Sequence, residues 1–283
     1  MDLHCMDYRS TVAEGPALSQ VNADALLLVL TSDQANTGDA VLDKLIKDAV
    51  AAEDFALKAG RALYIHRPAG VKAARLVLLA AADAKPKSYK AAVAKGLAQV
   101  KELGAAHVAV APAKGLALSA DHAKALVLGV ADATYVYRHT KPSAPKAGAL
   151  KKVTVVSAQA DAAAVKAGLA QGQAVAEGVS LGRELGNLPG NYCTPTHLGN
   201  EAKRLSREFK HIKAEVLDRR AIEKLGMGSF LSVSNGSAQP PRFIILRYHG
   251  ATAAQAPLVL VGKGITFDTG GISIKPGAGM DEM

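Results

Sequence analysis

Residues 261–283 read VGKGITFDTGGISIKPGAGMDEM, and this stretch sets the terms on which the rest of the chain is read. Two lysines and an aspartate, Lys263, Asp268 and Lys275, stand in one apolar, glycine-rich segment. The run leading into it, residues 257–261 (PLVLV), is continuous, apolar and short, which predicts a buried strand. Charged groups at the end of such a strand cost free energy unless a metal ion, a partner charge or a substrate compensates them.

Each of the three residues has a plain reading and a chemical one. Lys263, flanked by Gly262 and Gly264, is either a lysine reaching to solvent or a neutral amine on a divalent metal, its pKa depressed by a neighbouring cation and a dry pocket. Asp268 precedes Thr-Gly-Gly, where aspartate commonly shapes a turn. It is also a hard oxygen donor able to bridge two ions. Lys275 follows the alternating Ile272-Ser273-Ile274 and, protonated, suits stabilisation of an oxyanion. The glycines at 270 and 271 would let backbone approach a bound peptide closely.

Working back toward the N-terminus, strands alternate with helices. Residues 25–31 (ALLLVLT), 62–66, 75–81, 107–111 and 152–157 are predicted strands. Helical spacing covers 41–55, with Asp39 a cap, and 88–103, where Ala92, Val93, Leu97, Val100 and Leu103 share a face. A third helix runs from a cap at Ser119 to about Tyr135, and a long one covers 160–185. This alternation implies an α/β layer with a mainly parallel or mixed sheet. Residues 139–150 carry two prolines and read as a loop or a domain edge.

A second α/β unit starts after the breaker-rich stretch 186–191. It comprises a helix capped by Thr196 and running to about Phe209, strands at 213–217 and 243–248, a short helix at 219–225 and the strand at 258–261. It supplies fewer helices than a doubly wound sheet needs and reads as incomplete.

Composition narrows the function. With 283 residues and 49% hydrophobic content, the chain can bury two cores of ordinary size. Cys5 and Cys193 are too few and too far apart for a disulfide scaffold and fit a reducing compartment. No secretory h-region and no apolar run of about 18 residues is present, so a cytoplasmic chain that does not span a membrane is expected. Cys193 has no base beside it in sequence, the eight histidines show no H-E-x-x-H pattern, and Asp281-Glu282 read as the opening of a further helix. No glycine-rich phosphate loop marks residues 1–156 as a nucleotide-binding module.

The terminal segment as a whole resembles the signature of the cytosol (leucyl) aminopeptidase family of metallopeptidases. Residues 187–195 (NLPGNYCTP) resemble the N-x-P-x-N-x-x-T-P stretch that opens that family's catalytic domain, and Gly226-Met-Gly with residues 236–242 (GSAQPPR) adds a third match. The resemblance implies an N-terminal macro-domain-like α/β domain (1–156), a linking helix (157–186) and the first part of the catalytic domain (187–283). It implies hydrolysis of N-terminal residues, Leu preferred, from peptide substrates with two divalent ions (Mn, Zn or Mg) and a bicarbonate in the full-length enzyme. Lys263 and Asp268 would then be metal ligands, Lys275 the lysine that polarises the scissile carbonyl, and Met283 a substrate-binding residue lining the pocket for the N-terminal side chain. A homo-oligomer, hexameric in full-length form, is implied too. The family's remaining ligands would fall after Met283, so the chain reads as truncated within the catalytic domain and inactive by itself.

Net charge is +9, with 18 Lys and Arg against 14 Asp and Glu in residues 1–150 and 16 against 11 in 151–283. This spread fits a lysine-rich soluble surface, and DNA binding is the alternative it permits. Electrophoretic mobility of a DNA duplex across a salt series separates the two. A purely soluble surface gives no shift even at low salt, whereas a shift lost steeply with rising salt would establish the DNA role.

Overall fold

A computed structural model of the chain describes residues 6–146, 148–252 and 254–280. The chain divides into two units, Met1–Leu181 and Gly182–Met283.

The first unit contains β1 (Asp7–Val12), β2 (Ala25–Leu30), α1 (Ala40–Ala51), β3 (Ala62–His66), β4 (Arg75–Ala80), α2 (Pro86–Val100), β5 (His107–Pro112), α3 (Ala120–Thr134), β6 (Lys152–Ser157) and the start of α4 (Ala162–Asn187). The unit boundary falls within α4. The strands form one six-stranded sheet in the order β1-β6-β5-β2-β4-β3. All neighbours are parallel except β3, which runs antiparallel to β4 at one edge.

The apolar strands read from the sequence are continuous because both sheet faces are covered. Leu27, Val29, Val77, Leu79 and Val110 pack with Val93 and Leu97 of α2, Leu126 of α3 and Val165 of α4. Leu26, Leu28, Leu30, Leu76 and Leu78 meet Leu42 and Ile46 of α1 on the other face. Each such side chain contributes about 1.5–3 kcal/mol by leaving water. Close helix packing depends on absent side chains. A Cβ at Gly96 would stand 2.6 Å from Leu27 Cδ2, and one at Gly168 of α4 would overlap the Ala120 carbonyl at the start of α3.

Several local details depart from the sequence reading. β1 is a further strand: its DYRSTV sequence is mostly polar because it is an edge strand, paired with β6 alone. Leu103 is 44% exposed, since α2 stops at Val100 and Lys101–Leu103 tighten into a 3-10 turn before Gly104. Residues 139–150 lie within the first unit, and the described ones carry neither helix nor strand.

The second unit adds α5 (Pro195–Glu208), β7 (Ile212–Leu217), α6 (Arg219–Lys224), α7 (Gly228–Ser234) and β8 (Phe243–Tyr248). β7 and β8 pair antiparallel, Ala214 opposite Leu246. The cap of α5 is Thr194, not Thr196. Pro195 takes the first helical position, which holds the preceding residue extended, and Thr194 accepts from the His197 N–H at 3.2 Å. The short helix α7 begins at the second glycine of Gly226-Met-Gly. Residues 258–261 are not a strand. They are unpaired, and Leu258 and Val261 are 88% and 93% exposed. A parallel-sheet strand is stable only with neighbours on its edges and layers on its faces, and the described residues provide neither here.

Asp39 anchors the start of α1. It is buried and accepts from the N–H groups of Val41, Leu42 and Ser19, the last at 2.8 Å. Burial pushes its carboxyl up, but the hydrogen bonds from Ser19, Leu42 and Val41 outweigh burial and leave it below the ordinary value. The stabilisation is therefore complete above the unfolded value of about 3.9 and is lost as pH falls through the lower folded one. Urea denaturation of Asp39→Asn should show a loss of about 1–2 kcal/mol at neutral pH, and the difference from the parent should shrink as pH drops below about 4.

Candidate functional site

Two stretches far apart in sequence meet in the second unit. After α4, the N–H groups of Tyr192 and Cys193 both bond the Pro189 carbonyl, at 2.8 and 2.9 Å, and close a tight turn. That turn presents Gly190 to the backbone just ahead of Asp268. A Cβ on Gly190 would stand 2.8 Å from the Thr266 carbonyl oxygen and 3.0 Å from Phe267 Cβ. Only a glycine lets the turn sit this close. Cys193 beside it is buried, and burial pushes its thiol up, which disfavours a nucleophilic role.

From Asp268 the chain forms a closed loop. Asp268 Oδ1 accepts from the Gly270 N–H at 2.9 Å, and the Lys275 N–H bonds the Thr269 carbonyl at 2.9 Å. Gly270 and Gly271 take φ of 89° and 65°, the left-handed region that other residues rarely enter. A side chain at Gly270 would also overlap the Ser273 carbonyl and crowd Lys275. The loop thereby returns the Lys275 ammonium to Asp268 Oδ2, at 3.3 Å.

The electrostatics follow from this geometry. The Gly270 N–H is the largest influence holding the Asp268 carboxyl below the ordinary value, followed by the Lys275 bond and charge, with a smaller share from the charge of Lys263. Asp268 is half exposed and the Lys275 side chain largely covered. Lys263 is exposed and bears on Asp268 through its charge. Of the sequence-derived residues, Asp268 and Lys275 are in contact and Lys263 is an electrostatic neighbour. Met283 lies outside the described residues, as do Asp281, Glu282, His4 and Cys5.

An ionised carboxylate is a hard oxygen donor of the kind a divalent ion takes, but one carboxylate cannot enclose an ion, and the Lys275 ammonium paired with it has no lone pair to offer. Among the described residues no three His, Cys, Asp or Glu side chains converge on a metal position. Two histidines bond within the first unit: His107 pairs with Thr154 Oγ1 at 2.8 Å, and His122 bonds the Ala84 carbonyl and the Ser119 cap. The contact of Gly190 with 266–267 escaped the sequence reading. The signal for it was the density of breakers in 186–191, which marked a stop but not what the turn rests on.

Comparison with known proteins places the chain. The pattern described as the cytosol aminopeptidase family's N-terminal domain matches residues 27–144, and that of its catalytic domain matches 180–283. The chain belongs to the cytosol aminopeptidase family. It is 56% identical over 279 residues to the probable cytosol aminopeptidase of Methylibium petroleiphilum, covering 98% of this chain and 57% of that protein. To the cytosol aminopeptidase of Pseudomonas aeruginosa it is 48% identical over 236 residues, covering 81% of this chain and 48% of that one. The fold matches a mutant of tomato leucine aminopeptidase at a TM-score of 0.77 and 26% identity, over 95% of this chain and 56% of that one. A bottromycin maturation enzyme in complex with Mn shares the fold at a TM-score of 0.68 and 24% identity, over 91% of this chain and 51% of that one. The chain thus spans about half the length of these relatives.

Gly190→Val should disturb the Asp268 loop from a distance in sequence. The amide signals of residues 266–270 should move while those of the first unit's sheet stay in place, and stability should fall by about 1–3 kcal/mol. Unmoved signals at 266–270 would refute the contact.

Proposed function

We propose that this chain carries the N-terminal domain (1–156), the linking helix (157–186) and the opening part of the catalytic domain (187–283) of a metal-dependent aminopeptidase. The observation that carries the reading is the Asp268 loop: a carboxylate kept ionised by a backbone N–H and two amines, on a closed turn that also fixes a lysine 3.3 Å away. Family membership supports it, and the names of the relatives supply the substrate class and compartment. The proposed activity is release of N-terminal residues from peptides in the cytoplasm, with Leu preferred as in the tomato enzyme's name, and the proposed assembly is a homo-oligomer.

Lys263 and Asp268 would hold divalent ions, completed by donors beyond this set of residues. Such an ion pair, when bound, supplies an activated water at neutral pH and a Lewis acid for the carbonyl. The chain's own share lies in charge placement. Asp268, held ionised, needs no proton loss before it can donate. Lys275, ion-paired with Asp268, is a positioned cation for the oxyanion that develops on the scissile carbonyl. The glycines at 270 and 271 keep the loop free of side chains where a peptide backbone would lie.

A chimera tests this: residues 1–283 replace the aligned half of the Methylibium petroleiphilum relative. With Mn added, it should hydrolyse Leu-p-nitroanilide. Lys275→Ala should lower kcat by about 10²–10³-fold with the metal retained, whereas Lys263→Ala and Asp268→Asn should lose metal and activity together. A folded chimera whose activity ignores all three substitutions would sink the proposal.

A further inference from the structure

Residues 257–261 (PLVLV) are a strand sequence without a sheet. Leu258, Val259, Leu260 and Val261 are between 72% and 93% exposed. Side chains alternate between the two faces of a strand, so both faces of this one would be apolar and both are uncovered. No Asp, Glu, Lys or Arg stands between Tyr248 and Lys263, so the run lacks the charges that keep an exposed edge from sticking. Among the described residues β8, the strand before it, is paired on one edge only, by β7. Ile272 and Ile274, further along, are open to water as well.

We infer that 258–261 is a docking strand for the polypeptide that makes up the rest of the relatives' length, which brings strands to its edges and layers to its faces. This rests on the reading of 187–283 as the opening part of a catalytic domain. The number of missing neighbours selects the occupant. A bound peptide adds one strand at one edge and leaves both faces wet. A second copy, pairing through the same segment about a two-fold axis, also fills one edge of each. Only a polypeptide with strands and helices of its own covers two edges and two faces. The Methylibium petroleiphilum relative has the length for such a piece: the match takes in 98% of this chain at 56% identity, but 57% of that protein. α5, β7 and β8 form without it, so a folded unit displays the docking strand and takes up the piece with no covalent link.

This chain, tagged, is co-expressed with the untagged part of the Methylibium petroleiphilum protein that lies outside the match. The two should purify as a complex. The amides of 258–261, exchanging freely with deuterium in the chain alone, should slow by about 100-fold or more in the complex. Leu260→Asp should weaken uptake by about 100-fold, the scale of one buried apolar side chain. It should leave the chain's own melting unchanged, because Leu260 is open to water before docking. Val50→Asp, on α1 of the first unit, should leave uptake intact. No complex, a complex whose 258–261 amides still exchange freely, or an equal loss in both variants overturns the inference. So does protection of these amides in the chain alone as its concentration rises, which would make a second copy the occupant. The covalent chimera repeats the exchange measurement without depending on the solubility of a separate piece. Free exchange of 258–261 in an active chimera overturns the docking strand and leaves the aminopeptidase reading standing.

Discussion

A β-strand made wholly of apolar residues is stable only when both of its faces and both of its edges are occupied. In the first unit this condition is met without exception at the centre of the sheet. β2 lies between β4 and β5, with α2, α3 and α4 residues over one face and α1 residues over the other. Everything else in that unit is arranged to keep the covering close: glycines where α2 meets the sheet and α4 meets α3, and a buried aspartate that fixes the start of α1. The same condition is not met for 258–261, and there the same kind of sequence stays extended, unpaired and open to water.

The site obeys a different constraint, which is charge. A carboxylate on an open loop would ordinarily be held by water. Here a backbone N–H, a contacting ammonium and a second lysine compensate it within a few residues of chain. The compensation is local, so the arrangement persists even though little of the second unit's apolar surface is buried around it. The loop thus sets a carboxylate and an ammonium side by side through its own backbone geometry.

How much of this was legible in the sequence depends on whether the cause was local. β3, β6 and β8 could be bounded from periodicity because their burial pattern is written in their own residues. The caps at Asp39 and Ser119 were legible for the same reason. β1 was not, since an edge strand needs few apolar side chains and its pairing with β6 is a fact about residues 145 positions away, Asp7 opposite Lys152. The strand expected at 258–261 failed in the converse way: its composition was right, but partners decide a strand. Asp268 and Lys275 stood out by type and spacing, and the family resemblance gave them roles. Their mutual contact came from two positive-φ glycines that a sequence shows only as flexibility.

The abutment of Gly190 on Thr266 and Phe267 has a kinetic corollary. Between these residues in the chain lie α5, β7, α6, α7 and β8. Bringing the two ends together closes a long loop, whose entropy is recovered only after the intervening elements have condensed. The turn and the carboxylate loop are therefore expected to meet after α5 and the β7–β8 pair have formed.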